Sequence, residues 1–149
     1  MPSYRGIQNP YAHIWQWTIG YMGVGNGTNQ VAYRCRNRKQ YSTSSLNNYY
    51  SQVGLISSSG GWTKTIVKNK YGDIIPTSVG AGDTTYFSAY LWEAHNNNSI
   101  YAAPVGGCLF FGSLCGLGCL LLDYGFGYAS SDCGSRLVYC NSDYIIEAL

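Results

Sequence analysis

The sequence predicts a single α+β domain with short strands, few helices and long loops. Charged residues make up only 11% of the chain, whereas a typical globular domain carries about 25%. The 19 glycines and 15 tyrosines favour strands and turns. Several short segments also alternate between apolar and polar residues, as half-buried strands do. With 149 residues, the chain is long enough for one domain with a buried core.

The alternating segments predict the strands of this domain. In the first segment, Trp15 and Trp17 share one face with His13, so both tryptophans are expected to fill or border the core. We expect His13 to be a hydrogen-bonded structural residue, because no nucleophile or carboxylate accompanies it. The predicted strands are residues 12–24, 30–36, 62–68, 84–92 and 136–140.

The segments between these strands favour turns, one short helix and solvated loops. Residues 42–54 predict a short helix that is capped by Ser44 or Ser45. The basic run RCRNRK at 34–39 predicts a solvated loop. Because the net charge is only +2, no nucleic-acid partner is expected. Further turns and loops are predicted at 26–28, 57–61, 69–73 and 93–99.

Six cysteines are unevenly distributed along the chain. The chain contains no CxxC pair, and only His13 and His95 could complete a zinc site. We therefore expect free, partly buried thiols, with no metal and no other cofactor. Cys35 stands alone, and the other five are Cys108, Cys115, Cys119, Cys133 and Cys140.

Residues 104–122 contain no charged side chain, which allows three interpretations. The first is a membrane-anchored small protein, because at about 1.5 Å per residue a helix of this length nearly crosses a hydrocarbon core. Five glycines in the segment weigh against this helix, since each costs about 1 kcal/mol relative to alanine. The second interpretation is a buried core strand at 116–122.

The third interpretation is that the codons of this segment have been diversified. If AAC codons are mutated only at their adenines, Lys, Glu, Gln, Met and Trp cannot be reached. Residues 106–140 contain none of these five residue types, whereas residues 1–105 contain sixteen such residues. At that frequency about five would be expected in a segment of this length. The change in composition therefore indicates a variable segment at about 106–137.

Motifs at both ends of the chain add a family resemblance. AHIWQWT at 12–18 is similar to a GNVWEWT-like motif, and GGCLF at 106–110 with GSRL at 134–137 is similar to a later RGGSW and GxR pattern. In this order they resemble the variable proteins of diversity-generating retroelements from gut bacteria and their phages. The resemblance spans residues 4–139. It implies a C-type lectin-like fold in the version shared with formylglycine-generating enzyme.

In this family an error-prone reverse transcriptase rewrites the last coding segment, while the fold holds the rewritten side chains on one binding face. The resemblance therefore implies a domain that binds a protein or glycan receptor on a cell surface, without membrane insertion. Display on a phage tail fibre or a bacterial surface is implied, as a homo-oligomer or attached to a larger fibre protein. The chain is accordingly expected to be the C-terminal domain of a larger protein or assembly.

The resemblance also assigns roles to individual positions. Gly106 and Gly107 are expected to allow a bulge or a close backbone approach, and Arg136 is expected to pair with a carbonyl or carboxylate. Leu109 is left out of the variable set because the family frame often has Trp there. The structural frame is His13, Trp15, Trp17, Gly106, Gly107, Gly134 and Arg136. The variable, ligand-binding positions are Phe110, Phe111, Ser113, Leu114, Cys119, Leu121, Asp123, Tyr124, Phe126, Tyr128, Ser130 and Asp132.

An enzyme of the formylglycine-generating superfamily is the alternative. Its catalytic members use a reactive cysteine pair near the second motif, and Cys108, Cys115 and Cys119 lie near that motif here. No activating base accompanies these thiols in the sequence. The carboxylates that bind metal in the superfamily are also not recognisable. The sequence therefore predicts a protein that is not an enzyme and binds no calcium.

Overall fold

The computed structural model describes residues 3–4, 7–8, 11–82, 86–95 and 97–135. These residues form a mostly β architecture with a four-stranded sheet and a seven-stranded sheet, beside the short pair β1–β2. The strands are β1 (Ser3–Tyr4), β2 (Ile7–Gln8), β3 (Trp15–Gln16), β4 (Tyr21–Gly25), β5 (Gln30–Cys35), β6 (Tyr50–Ile56), β7 (Gly61–Lys68), β8 (Ile74–Gly80), β9 (Tyr90–Ala94), β10 (Ile100–Ala102), β11 (Val105–Gly106), β12 (Gly116–Leu122) and β13 (Cys133–Gly134).

The helical part of the predicted α+β class is wrong for the residues that the structure describes. They contain two 3-10 segments, Arg38–Gln40 and Leu109–Leu114, but no α-helix of seven or more residues. The helix predicted within 42–54 is replaced by turns and the start of β6. Side chains cause this local folding: Ser42 Oγ accepts hydrogen bonds from two backbone N–H groups at 3.3 and 3.1 Å, and Asn47 Oδ1 accepts one at 2.9 Å.

The four-stranded sheet is antiparallel throughout, in the order β10-β4-β5-β6. β4 and β5 are joined by the predicted turn at 26–28. There Asn26 Oδ1 accepts hydrogen bonds from the N–H groups of Thr28 and Asn29 at 3.1 and 2.9 Å. β5 agrees closely with the strand predicted at 30–36, although its burial does not alternate, since Gln30, Val31 and Ala32 are all buried.

The seven-stranded sheet is mixed, in the order β13-β3-β11-β12-β9-β7-β8. The pairs β12–β9 and β13–β3 are parallel, and the other pairs are antiparallel. The single strand predicted at 12–24 is wrong, since β3 joins this sheet and β4 joins the other. The chain changes sheets at Gly20, where φ is +82° and a Cβ atom would lie 2.5 Å from a ring carbon of Tyr41.

The remaining differences concern the strands at 84–92, 74–80 and 136–140. The strand predicted at 84–92 is observed at Tyr90–Ala94, so the following loop begins later than residue 93. β8 was not predicted, because Pro76 interrupts its pattern, and the structure places it at the edge of the sheet, where proline is tolerated. The strand predicted at 136–140 lies outside the described residues.

Strands β9 and β12 carry apolar side chains on both faces. Leu91 and Leu122 point between the two sheets, into a core that also contains Ile56 and Ile75. The opposite face carries an outer layer of buried side chains, with partly buried aromatic residues packed against them. The buried members of this outer layer are Trp15, Cys108, Cys119 and Leu121.

The uncharged segment 104–122 is therefore not a continuous helix. It forms β11, the 3-10 segment and β12, so the strand at 116–122 is confirmed; Cys119, Leu121 and Leu122 are buried, whereas Gly118 is exposed. In the described part of the chain, no helix is long and apolar enough to cross a membrane.

A buried carboxylate connects the two sheets. Asp73, in the turn between β7 and β8, forms ion pairs with Arg34 and Arg36 and accepts a hydrogen bond from Asn69 Nδ2 at 2.8 Å. The basic run at 34–39 was predicted to be a solvated loop. This prediction is wrong for Arg34 and Arg36, which form ion pairs with Asp73. Burial alone would raise the pKa of Asp73, but the hydrogen bonds from Asn69 and Arg34 and the charges of both arginines lower it.

Replacement of Asp73 by Asn should lower the free energy of unfolding by about 2 kcal/mol at pH 7. Because the folded-state pKa of Asp73 is depressed, its contribution is present above the unfolded pKa and is lost as the pH falls through the folded pKa. Urea unfolding at pH 7 and pH 3 should therefore show a smaller difference from wild type at pH 3. The Asp123→Asn control, at a more exposed pair with His95, should cost less than about 1 kcal/mol. A difference for Asp73→Asn that does not change with pH would contradict this assignment.

Candidate functional site

Most of the predicted variable positions lie in two segments on the outer side of the seven-stranded sheet. They are the 3-10 segment Leu109–Leu114 and the loop 123–132, and we call the two together the loop face. Phe111 from the first segment and Tyr124 from the second pack against the same outer layer. The two segments are therefore neighbours in space, and the strands beneath them provide a common support.

Close packing fixes the backbone at Gly106 and Gly107, just before the first segment of the loop face. Gly106 and Gly107 have φ values of +95° and +75°, and the β11–β12 register shifts at Gly106, as in a bulge. A Cβ atom on Gly107 would lie 2.6 Å from Cys115 Sγ, so only glycine fits there. The Cys115 thiol donates to the carbonyl of Cys108 at 2.9 Å. These contacts hold the 3-10 segment over the sheet.

Aromatic rings form the floor of the loop face. Phe111 packs on Trp92, with ring centroids 4.2 Å apart, and its edge-to-face contact with Trp15 is 6.2 Å. Trp15 and Trp92 in turn meet edge to face at 6.4 Å. The neighbouring Phe110 has 90% of its surface exposed, although its ring contacts Phe111 at 5.6 Å. One phenylalanine therefore anchors the segment while the other faces solvent.

The loop 123–132 is held by hydrogen bonds and ring stacking. The rings of Tyr124 and Tyr128 are stacked at 3.8 Å with an angle of 6° between their planes. The N–H of Ala102 donates to the Tyr124 carbonyl at 2.9 Å, which ties the loop to β10. The Cys108 thiol donates to Asp132 Oδ2 at 3.7 Å, which ties the loop to the 3-10 segment.

The electrostatic character of the loop face is acidic and aromatic. Residues 106–135 include Asp123 and Asp132 but no lysine or arginine. Asp123 Oδ1 contacts His95 Nε2, and this contact is an ion pair when the imidazole is protonated. Partial burial, the hydrogen bond with Tyr128 and the nearby carboxylates raise the pKa of Tyr124, so its hydroxyl remains protonated at neutral pH.

The predicted variable positions differ widely in exposure. Phe110 and Ser113 are exposed. Leu109, which was left out of the set, is also 70% exposed, and no signal in the sequence marked it as such. The half-buried members are Phe111, Leu114, Asp123, Tyr124, Phe126, Tyr128, Ser130 and Asp132.

Two of the predicted positions do not face solvent. Cys119 and Leu121 are 1% and 6% exposed and belong to the outer layer, so their assignment to a ligand-facing surface is corrected. Both residues lie on β12 and point to the same face of the sheet, because side chains alternate along a strand. They therefore lie beneath the loop face and not on its surface. Phe126 is a further special case, because it packs against a third cluster around Met22 and Cys35.

The predicted frame residues gather beside the loop face. Trp15 is buried and Trp17 is half-buried, and the N–H of Trp17 donates to the carbonyl of Gly134 at 2.8 Å. The imidazole of His13 is exposed, and the contact that ties this residue to the fold is its carbonyl, which accepts from the N–H of Leu109 at 3.3 Å. Arg136 lies outside the described residues.

The thiols near the loop face are unpaired and difficult to ionise. Burial is the main cause that raises the pKa of Cys108, Cys115, Cys119 and Cys133. The pKa reaches about 12 for Cys119 and about 11 for Cys133. Among the described cysteines, which also include Cys35, none forms a disulfide. The described residues also contain no cluster of three or more histidine, cysteine or acidic side chains that could hold a metal ion.

Comparison with known proteins gives no relative for this chain. No protein-family model, no curated protein and no solved structure matches it.

Alkylation with iodoacetamide should be slow at neutral pH, because only the thiolate reacts. For Cys133, with a pKa of about 11, the rate should rise roughly a hundredfold between pH 8 and pH 10. An ordinary thiol of pKa about 8.5 should gain only roughly fourfold. Peptide mapping by mass spectrometry assigns each rate, and the same chain in urea serves as the ordinary-thiol control. Rapid labelling of Cys108 or Cys133 at pH 7 would contradict the raised pKa values.

Proposed function

We propose that this chain is a non-catalytic binding domain whose loop face is diversified by adenine-directed mutagenesis. Its target would be a protein or glycan receptor on a cell surface, and it would be displayed on a phage tail fibre or a bacterial surface. The observation that carries the proposal is that a region of unusual residue composition includes the loop face. The run without Lys, Glu, Gln, Met or Trp extends from residue 94 to residue 146 and includes both segments of the loop face.

Burial explains only part of this composition. Strand β12 lies in the core and would exclude charge whatever its history. Exposed positions such as Phe110, Ser113 and Ser131 would tolerate lysine, glutamate or glutamine at little cost. The continued absence of those residue types across the loop face therefore favours a cause at the level of the codons.

The arrangement of the family-like motifs supports the finer proposal of a C-type lectin-like fold. Residues 12–18, 106–110 and 134–137 are far apart in the chain, yet their strands β3, β11 and β13 are neighbours in one sheet. Gln16 pairs with Val105 on one side and with Gly134 on the other. The three motifs that carry the sequence resemblance thus also lie next to one another in the sheet.

The chemistry of the loop face suits recognition better than catalysis. Aromatic side chains give a large contact area at a low entropic cost, while serine and glycine adapt to different partners. The thiols that a catalytic alternative would need have raised pKa values and remain protonated at neutral pH. Display in several copies would strengthen weak individual contacts through multivalency.

The DNA around the gene provides the first test. A near-copy of codons 106–137 should lie within a few kilobases, beside a reverse transcriptase gene. Its mismatches to the gene should fall at template adenines and so mark the variable positions one by one. The absence of a copy, or mismatches spread over all four bases, would remove the diversification proposal.

Substitutions should separate the exposed positions from the buried ones. Phe110→Ser should change the free energy of unfolding by less than about 0.5 kcal/mol, because its ring is 90% exposed. Leu121→Ser should cost about 3 kcal/mol or more, because it places a hydroxyl and a cavity in the outer layer. Urea unfolding of both variants measures this difference. Similar losses of stability in the two variants would contradict the assignment of Phe110 to an exposed surface and of Leu121 to the core.

A further inference from the structure

A further candidate site lies on the opposite side of the seven-stranded sheet from the loop face. It is a cavity of about 680 Å³ between the two sheets, bordered by β4, β5, β7, β9 and β12. Its lining includes Leu91 and Leu120, which point away from the outer layer. The lining contains no residue of the loop face, so this inference is independent of the proposed function.

Small residues line part of this space. Gly118, Ala89 and Ala103 line the cavity, and a Cβ atom on Gly118 would lie 2.8 Å from the Cβ atom of Ala89. The backbones approach closely here, so large side chains cannot enter from the sheet. The volume lies within the range of about 300–1,000 Å³ that is typical of small-molecule sites.

The rim of the cavity is unusually apolar for a surface. Four large side chains there expose between 39% and 59% of their area. Such a patch around a cavity marks a binding site more often than an ordinary surface does. The four residues are Ile19, Ile66, Ile74 and Phe87, and all of them also line the cavity.

One positive charge sits at the edge of this apolar site. Arg34 is the charged residue of the lining, and its side chain is 50% exposed. Arg34 and Arg36 share the single carboxylate of Asp73, so the group carries one net positive charge. Tyr21 adds a hydroxyl to the lining, and burial raises the pKa of Tyr21 so that this hydroxyl stays protonated. An anionic group on a ligand would therefore find a cation and a hydrogen-bond donor.

We propose that this cavity binds a small amphipathic carboxylate, with its apolar chain or ring between the sheets and its carboxylate at Arg34. Apolar contact supplies most of the binding energy. The net positive charge shared by Arg34, Arg36 and Asp73 favours an acid over a neutral analogue.

Calorimetric titration with octanoate, and with octan-1-ol as the neutral analogue, tests the proposal. We expect one site per chain and an affinity for octanoate at least tenfold higher than for octan-1-ol. No octanoate binding at millimolar concentration, or equal affinity for acid and alcohol, would overturn the proposal.

Two pairs of variants locate the site. Ile66→Ser should weaken octanoate binding at least tenfold, whereas Val67→Ser should not, since both residues are exposed on β7 but only Ile66 lines the cavity. Arg34→Met should remove the preference for the acid and leave octan-1-ol binding unchanged, and Arg38→Met is its control. Arg36 still pairs with Asp73 in the Arg34→Met variant, so the ion pair between the sheets is kept.

The outcomes also separate a ligand site from a protein interface. Equal effects of Ile66→Ser and Val67→Ser would overturn the assigned location. Sedimentation analysis checks for self-association. Dimerisation that Ile66→Ser abolishes, without octanoate binding, would overturn the proposal in favour of an interface between copies of this chain.

Discussion

From Cys119 to Leu122, strand β12 has apolar side chains packed on both of its faces, and its neighbours are arranged around this segment. It lies between β11 and β9, with Leu120 and Leu122 turned toward the four-stranded sheet and Cys119 and Leu121 turned toward the outer layer. A charge at these positions would be buried without a partner, which costs several kcal/mol. The low charge of this strand therefore has a packing cause and needs no membrane.

The features predicted correctly from the sequence are those that depend on local pattern. β5 and β7 lie close to their predicted limits because both contain β-branched and aromatic residues and each borders a predicted turn. Trp15 is buried as expected, since a large apolar ring on a predicted inner face has few alternatives. The turn at 26–28 is likewise stabilised by the side chain of one residue, Asn26.

The features that were missed depend on contacts between distant segments. Nothing within residues 12–24 shows that Gly20 must pass close to Tyr41, so the division between two sheets was not foreseen. The residue composition of 106–140 carries no information on exposure, so Cys119 and Leu121 could not be told apart from surface positions. The ion pairs of Arg34 and Arg36 with Asp73 also join segments that a local pattern cannot connect.

The parallel pairing of β3 with β13 has a consequence for the order of folding. Trp15 pairs with Cys133, more than a hundred residues later, so this edge of the sheet forms only once the last described strand is present, although β3 also pairs with β11. Contacts of such long range make folding slow and leave apolar rings exposed in the meantime. The closing contacts are main-chain hydrogen bonds, from Trp15 N–H to the Asp132 carbonyl at 2.7 Å and from Trp17 N–H to the Gly134 carbonyl at 2.8 Å. Because these contacts are made by backbone groups, they do not depend on which side chains the loop carries.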